Sequence, residues 1–222
     1  MVERKTFVVL GLGIFGSTIA ENLYMYGHDV IAIDKDMDCV RRIENKVTKP
    51  IAADFTDFEV LENLDIAECD AAIVATGSHL EESVLAIMNL KRLKIPYIIA
   101  KAKNKKYMQI LAKLGADRVI RPEKEMGERI ARKLVSNSIV DLMDIDSEFS
   151  MVELNIPDKW VGKTLMELDL RNTHGINIIG IRKENDKHLN PNPDPNEVIE
   201  KKSTILIIAD KELFKKIDDI VK

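Results

Sequence analysis

The chain has 222 residues, is 45% apolar and 32% charged, and so has the length and balance of a soluble globular protein with one or two buried cores. Its net charge of −4 and pI near 5.7 argue against a nucleic-acid binder, which usually carries a basic face. No apolar run reaches the roughly 18 residues needed to span a bilayer, and the N-terminus leads straight into an apolar run, so no secretory signal is expected.

The first 34 residues carry the densest pattern. Thr6 to Leu10 is a short apolar run. Gly11, Leu12, Gly13, Ile14, Phe15 and Gly16 then form a Gly-x-Gly-x-x-Gly turn, a helical run reaches Tyr26, and a second apolar run ends in Asp34. Strand, glycine turn, helix, strand and terminal acid together make the βαβ dinucleotide fingerprint. Gly11 permits a tight turn, Gly13 leaves the backbone open to phosphates, and Gly16 lets the helix pack on the strand. The helix start aims N–H groups and its positive dipole end at the phosphates. Asp34 is placed to accept the hydrogens of a ribose diol.

A helix follows over 36–46, capped by Asp36, then a strand over 47–53 ending at Asp54. Thr56 or Asp57 caps a helix to 64. Strand four spans 70–75 and is followed by Thr76 and Gly77. A helix covers 80–93, strand five 96–100, ending at Lys101, and Asn104 caps a helix that Gly115 ends. A sixth short strand covers 117–120. Strands alternating with helices predict a Rossmann-like, doubly wound parallel α/β sheet in the order 3-2-1-4-5-6, with ligand at the carboxyl ends of the strands. Asp54 either begins a turn or faces an adenine amino group. Lys101 is either a solvated charge or a phosphate partner.

After Pro122, residues 123–143 read as one long or bent amphipathic helix, with Met126, Ile130, Leu134, Val135, Ile139, Leu142 and Met143 at spacings of three and four. The sheet already has its covering helices, so this one is expected to dock on a partner or on a second copy of the chain. A polar hinge then leads to a smaller α+β module: a strand over 149–156, a short helix capped by Thr164, strands over 175–181 and 202–209, and a last helix over 212–221 capped by Asp210. Three prolines punctuate a loop over 190–196. The module holds no nucleophile–base pair or metal cluster. Cys39 and Cys69 read as reduced thiols of a cytoplasmic protein, and the four histidines show no metal-ligand spacing with them.

The two-module order resembles the RCK family (regulators of potassium conductance, also called KTN proteins), and its cytoplasmic KtrA/TrkA-type subunits in particular. The resemblance runs through Gly11 to Gly16, Asp34, Ala53-Asp54-x-Thr56, Val74 to Gly77, Ala100 to Ala102, Leu114 to Asp117 and Arg121-Pro-Glu-Lys-Glu-Met-Gly127. In the second module it runs through Gly162 to Leu168, Leu170-Arg171 and Gly175 to Ile178. It implies a nucleotide-binding domain over 1–121, a crossover and dimerisation helix with hinge over 122–145, and a C-terminal RCK domain over 146–222.

The resemblance further implies a regulator and not an enzyme: dimers assembling into an octameric ring on a membrane potassium-translocating subunit of KtrB/TrkH type, on the cytoplasmic face. ATP and ADP would compete for one cleft, with NAD(H) as the ligand in some relatives. The implied contacts are Gly11, Leu12, Gly13, Ile14, Phe15, Gly16, Asp34, Lys35, Asp54, Phe55, Thr56, Ala75, Thr76, Gly77, Lys101 and Glu123. Glu123 would also help hold a divalent cation, magnesium or calcium, near the phosphates. Arg171, Ile176, Asn177 and Ile178 fall on the stretch that binds cyclic di-AMP in several relatives.

One position departs from the pattern. Relatives often carry arginine between the second and third fingerprint glycines, where it reaches a neighbour's γ-phosphate. Ile14 cannot make that charge-assisted bond, so any preference for ATP over ADP is weaker here or rests on Lys101, Glu123 and a cation. Two rival readings are an NAD-dependent oxidoreductase, for which His174 and His188 are the only histidines of the second module, and a nucleotide-sensing transcription factor, for which there is no helix-turn-helix or basic face.

Overall fold

The structure, a computed structural model, describes residues 3–77, 79–135 and 138–210. The helix expected over 212–221 lies outside the described residues. The chain divides into two compact units, Met1–Pro122 and Glu123–Lys222.

The first unit runs β1 (Thr6–Leu10), α1 (Ile14–Met25), β2 (Asp29–Asp34), α2 (Met37–Arg42), β3 (Lys49–Ala52), α3 (Phe58–Asn63), β4 (Ala71–Val74), α4 (Leu80–Arg92), β5 (Ile98–Lys101), α5 (Lys105–Lys113) and β6 (Arg118–Ile120). All pairs in the sheet are parallel, in the order β3-β2-β1-β4-β5-β6. A parallel sheet is covered on both faces, and its central strands are therefore mostly apolar; all of β4 is buried. Successive side chains point to opposite faces, so the sheet divides two cores. Val8 and Leu10 pack with Ala86, Ile87 and Leu90 of α4 on one side. Val9 packs with Ala20 of α1, Val30 and Ala32 on the other.

Local chemistry sets the helix starts. Asp36, Asp57 and Asn104 cap α2, α3 and α5, accepting from the backbone N–H of Asp38, Glu59 and Tyr107 respectively. Each such cap contributes on the order of 1 kcal/mol. The helix expected over 36–46 is shorter and ends at Arg42. The strand order reverses between β3 and β4, which lie on opposite sides of β1. The carboxyl ends of β1 and β4 therefore flank the crevice where such folds hold ligands.

The second unit contains α6 (Pro122–Val135), β7 (Ile139–Asp144), β8 (Phe149–Asn155), α7 (Leu165–Leu168), α8 (Leu170–His174), β9 (Asn177–Arg182) and β10 (Thr204–Asp210). Its strands form an antiparallel sheet in the order β7-β8-β10-β9. Residues 139–144 correct the sequence reading, which had continued α6 to Met143. Ile139 and Val140 are β-branched and favour strand. Leu142 pairs with Val152 and Met143 with Met151, so Leu142 enters the core while Met143 stays exposed. Spacings of three and four among 139, 142 and 143 fit either period, and pairing with β8 decides between them. Thr164 and Glu167 form a capping box at α7, and Trp160, Leu154, Leu170, Ile176, Ile205 and Ile207 fill the core. The α8 turn was not expected from the sequence.

The α6 helix keeps an apolar stripe in the open: Met126, Ile130 and Leu134, four residues apart, are all at least half exposed. Arg129 holds α6 to the unit's sheet by a forked pair with Asp141 of β7, Nε to Oδ1 at 3.2 Å and Nη2 to Oδ2 at 2.6 Å. That guanidinium draws the Asp141 carboxyl below the usual carboxylate range.

Gly16 supplies a direct test of the first unit's packing. A Cβ there would lie 1.9 Å from the Gly11 carbonyl oxygen and 3.0 Å from the Ala75 Cβ. Gly16→Ala is expected to cost about 1–3 kcal/mol, the range for overpacking a core, measured by urea denaturation followed by circular dichroism.

Candidate nucleotide-binding site

The glycine turn begins as β1 ends. Gly11 donates its N–H to the Ile33 carbonyl at 2.9 Å and adopts φ +93°, a conformation L side chains rarely take; a Cβ there would also meet Thr76 Cγ2 at 2.7 Å. Glycine is thus required on two counts. Gly13 stands at the N-cap of α1 with no side-chain cap bond, and the first turn of α1 has no acidic residue. Nothing lies within 4 Å of where a Gly13 Cβ would be. The helix start therefore offers N–H groups and the positive end of the dipole to an anion from open space.

Asp34, at the end of β2, grips this turn. Its Oδ2 accepts the Leu12 N–H at 2.6 Å and its Oδ1 accepts the Asp36 N–H at 2.9 Å. A carboxylate has about four lone-pair sites, so each oxygen retains acceptor capacity for a ribose hydroxyl. Lys35 follows and pairs with Glu82 in the first turn of α4, Nζ to Oε1 at 2.6 Å, a bond that pushes the Lys35 pKa up. Asp54 takes the Thr56 hydroxyl at 2.6 Å and the Thr56 N–H at 2.9 Å on one oxygen, Oδ1. It is first a turn-former, and both bonds leave its Oδ2 unused. Lys101, at the end of β5, carries its Nζ to 5.5 Å from the Phe15 ring centroid, beside the first turn of α1.

The first unit therefore brings together Gly11, Gly13, Ile14, Phe15, Gly16, Asp34, Lys35, Asp54, Thr56, Ala75, Thr76, Gly77 and Lys101 at the carboxyl ends of its strands. The side chains of Leu12 and Phe55 are buried in its two cores, so only their backbone is on offer. Ile14 is 90% exposed. Glu123 is the second residue of α6, in the other unit. Within that unit Arg171 and Asn177 are exposed near the start of β9, Ile178 is half-buried, and Ile176 is packed in the core. His174 and His188 are both exposed. Among the described residues no cluster of three or more histidine, cysteine or acidic side chains is arranged to hold a metal, and no helix is long and apolar enough to cross a membrane. Burial pushes the Cys69 thiol up to about 11, which keeps it protonated and inert.

Sequence reasoning missed the part played by α4. It ties three of the loops that ring the cleft: Glu82 holds Lys35, the buried Ser83 hydroxyl bonds the Thr76 carbonyl at 2.6 Å, and Asn89 donates to the Thr56 carbonyl at 2.8 Å. A local signal existed only for Ser83, polar at a position whose neighbours Ala86, Ile87 and Leu90 are core. Along the outer flank of the turn, a groove of about 440 Å³ is lined by Gly13, Ile14, Ser17 and Glu21 of α1 and by Arg42, Ile43 and Lys46.

With this geometry in view, comparison with known proteins places the chain. The TrkA-N domain model matches residues 7–122 and the TrkA-C domain model residues 150–222, and the chain belongs to this two-domain family. It is 36% identical over 206 residues to Ktr system potassium uptake protein C of Bacillus subtilis (strain 168), covering 93% of this chain and 92% of that protein. It is 34% identical over 218 residues to Ktr system potassium uptake protein A of the same organism, covering 98% and 97%. Among solved structures the GsuK RCK domain shares the fold, with a TM-score of 0.68 at 20% identity over 99% of this chain. A GsuK channel bound to NAD gives 0.67 at 20% identity over all of it. This chain spans 48% and 40% of those two chains.

The Asp54 turn has a testable titration. The Thr56 hydroxyl, and after it the Thr56 N–H, hold the Asp54 carboxyl below the usual carboxylate range. With the folded value depressed, the turn's contribution to stability is present above the unfolded carboxyl pKa and is lost as pH falls through the folded one. Thr56→Val removes the hydroxyl and leaves the N–H. The expected result is a rise of the Asp54 pKa toward its ordinary value, followed by carboxyl-carbon NMR.

Proposed function

We propose that the chain is a nucleotide-sensing regulatory subunit of a potassium uptake system and not an enzyme. The observation that carries this reading is the pairing of an open, acid-free helix start at Gly13 with the Asp34 carboxylate one strand away. Adenine nucleotides present phosphates to the first and a ribose diol to the second. The near full-length similarity to two Ktr system potassium uptake proteins supports the potassium assignment. A GsuK channel bound to NAD shares the fold over the whole chain and GsuK bound to ADP over 57% of it, which supports ADP, ATP and NAD(H) as the ligands to try first.

In this reading the first domain captures the nucleotide, α6 is the crossover through which two chains pair, and the remaining residues form the regulatory C-terminal domain. The exposed stripe of Met126, Ile130 and Leu134 supports a second copy as the partner of α6. Dimers assemble into a ring, eight chains in the full assembly, that docks on the cytoplasmic side of a membrane potassium-translocating subunit of KtrB/TrkH type. The triphosphate brings extra charge, and with it a magnesium or calcium ion toward Glu123. These must find partners on a neighbouring protomer, so occupancy biases one ring shape over another. Cyclic di-AMP on the Arg171 to Ile178 stretch would couple to the same equilibrium by linkage. With Ile14 in place of an arginine, the ATP-over-ADP preference is weak or rests on Lys101, Glu123 and the cation.

The test is calorimetric titration of the purified protein with ATP, ADP and NADH, each with and without magnesium. At least one adenine nucleotide is expected to bind without turnover. Asp34→Ala, which removes the ribose acceptor and releases the Leu12 N–H, is expected to weaken that binding ten-fold or more, about the effect of losing charge-assisted bonds. Unchanged affinity in the variant, or consumption of a hydroxy substrate with NAD, would contradict the reading.

A further inference from the structure

Gly77 poses a question that the fingerprint glycines do not. Its φ lies outside the left-handed region taken by Gly11, Gly27, Gly115, Gly162 and Gly175, so its backbone would accept any residue. No backbone atom presses on it as Gly11 presses on Gly16. The three heavy atoms nearest an added Cβ all belong to one side chain: Lys101 Cε at 2.9 Å and Lys101 Cδ and Cγ each at 3.0 Å. The stem of Lys101 thus lies flat along the β4–α4 loop, across the place where any other residue would carry a side chain. Leaving the end of β5, it crosses this loop and brings its ammonium over the ring of Phe15, 5.5 Å from the centroid, within cation–π reach. Phe15 is in the first turn of α1, where the phosphates of a nucleotide would be met.

We propose that Gly77 is a positioning residue for Lys101: its missing side chain is the track along which the lysine reaches the phosphate end of the cleft, and the Lys101 ammonium sets how strongly the site prefers a nucleoside di- or triphosphate over the bare nucleoside. This rests on the adenine-nucleotide reading above. It assigns Gly77 no contact with the ligand. The encroached atoms, Cγ to Cε, all belong to one flexible side chain and none to the backbone, so a methyl group at 77 moves the lysine and leaves the fold intact, unlike a methyl group at Gly16.

The experiment is calorimetric titration of adenosine, AMP, ADP and ATP into the full chain as wild type, Gly77→Ala, Lys101→Met and the double variant, with thermal midpoints recorded for each. Lys101→Met is expected to weaken ADP and ATP about ten-fold, the loss of a charge-assisted bond, and to leave adenosine unchanged. Gly77→Ala is expected to show the same phosphate-dependent loss at an unchanged thermal midpoint, and the double variant to be no weaker than Lys101→Met alone, since the two substitutions remove one interaction. Phe15→Leu, which withdraws the ring and keeps apolar packing, is expected to cost ADP about three-fold and adenosine nothing. Equal weakening of adenosine and ADP by Gly77→Ala would mean that the ligand itself packs on the glycine and would overturn the proposal, as would additive losses in the double variant. Wild-type protein that bound none of the four would instead sink the nucleotide reading beneath it.

Discussion

The Asp34 carboxylate is the pin of the first unit's ligand end. It closes a bond of 2.6 Å to the Leu12 N–H and so fixes the glycine turn to the end of the neighbouring strand. A charged acceptor makes such a bond roughly twice as strong as a neutral one, and the half-buried position of Asp34 limits competition from water. Around this pin the glycines are placed by sterics: Gly11 under Thr76, Gly16 against the Gly11 carbonyl. The result is a helix start held rigidly toward open space, with its N–H groups available and its position set before any ligand arrives. Preorganisation of this kind spares a ligand the cost of ordering the loop.

The same constraint fits the signalling role proposed above. In the reading proposed above, the backbone donors of this turn and the Asp34 carboxylate suit the phosphate and ribose of a nucleotide. What the site does have is leverage. The α4 helix holds the loops at Lys35, Thr56 and Thr76 together, so a ligand seated among them meets a connected frame and not separate loops. Energy of capture can then be expressed as a change in how chains pack, provided the ligand favours one packing over the other.

Much of this was legible in the sequence because its determinants are local. The fingerprint, the caps at Asp36, Asp57 and Asn104, and the apolar strands each declare themselves within a few residues, and the alternation of strand and helix leads to the sheet order. The strand over 139–144 was not legible. Its apolar spacing suits a helix as well as a strand, and only pairing with β8 settles it. The α8 turn was missed because it is five residues long and is shaped by its ends, with Asp169 at φ +42° and Gly175 at φ +69°. At the site, the residues at strand ends could be named in advance. The Lys35–Glu82 pair and the Lys101–Gly77 contact could not, since each joins residues far apart in the chain. Conversely, Phe55 fell in a stretch read as cleft, yet its ring is core; position after a strand does not say which way a side chain turns.

The proposed coupling of nucleotide occupancy to assembly is most directly tested by solution X-ray scattering of the protein. Profiles recorded with saturating ATP, with saturating ADP and without nucleotide should differ if the ligand selects among arrangements of the protomers, and Asp34→Ala should need correspondingly more nucleotide to reach the same change. Superimposable profiles from protein shown by calorimetry to be fully occupied would contradict it.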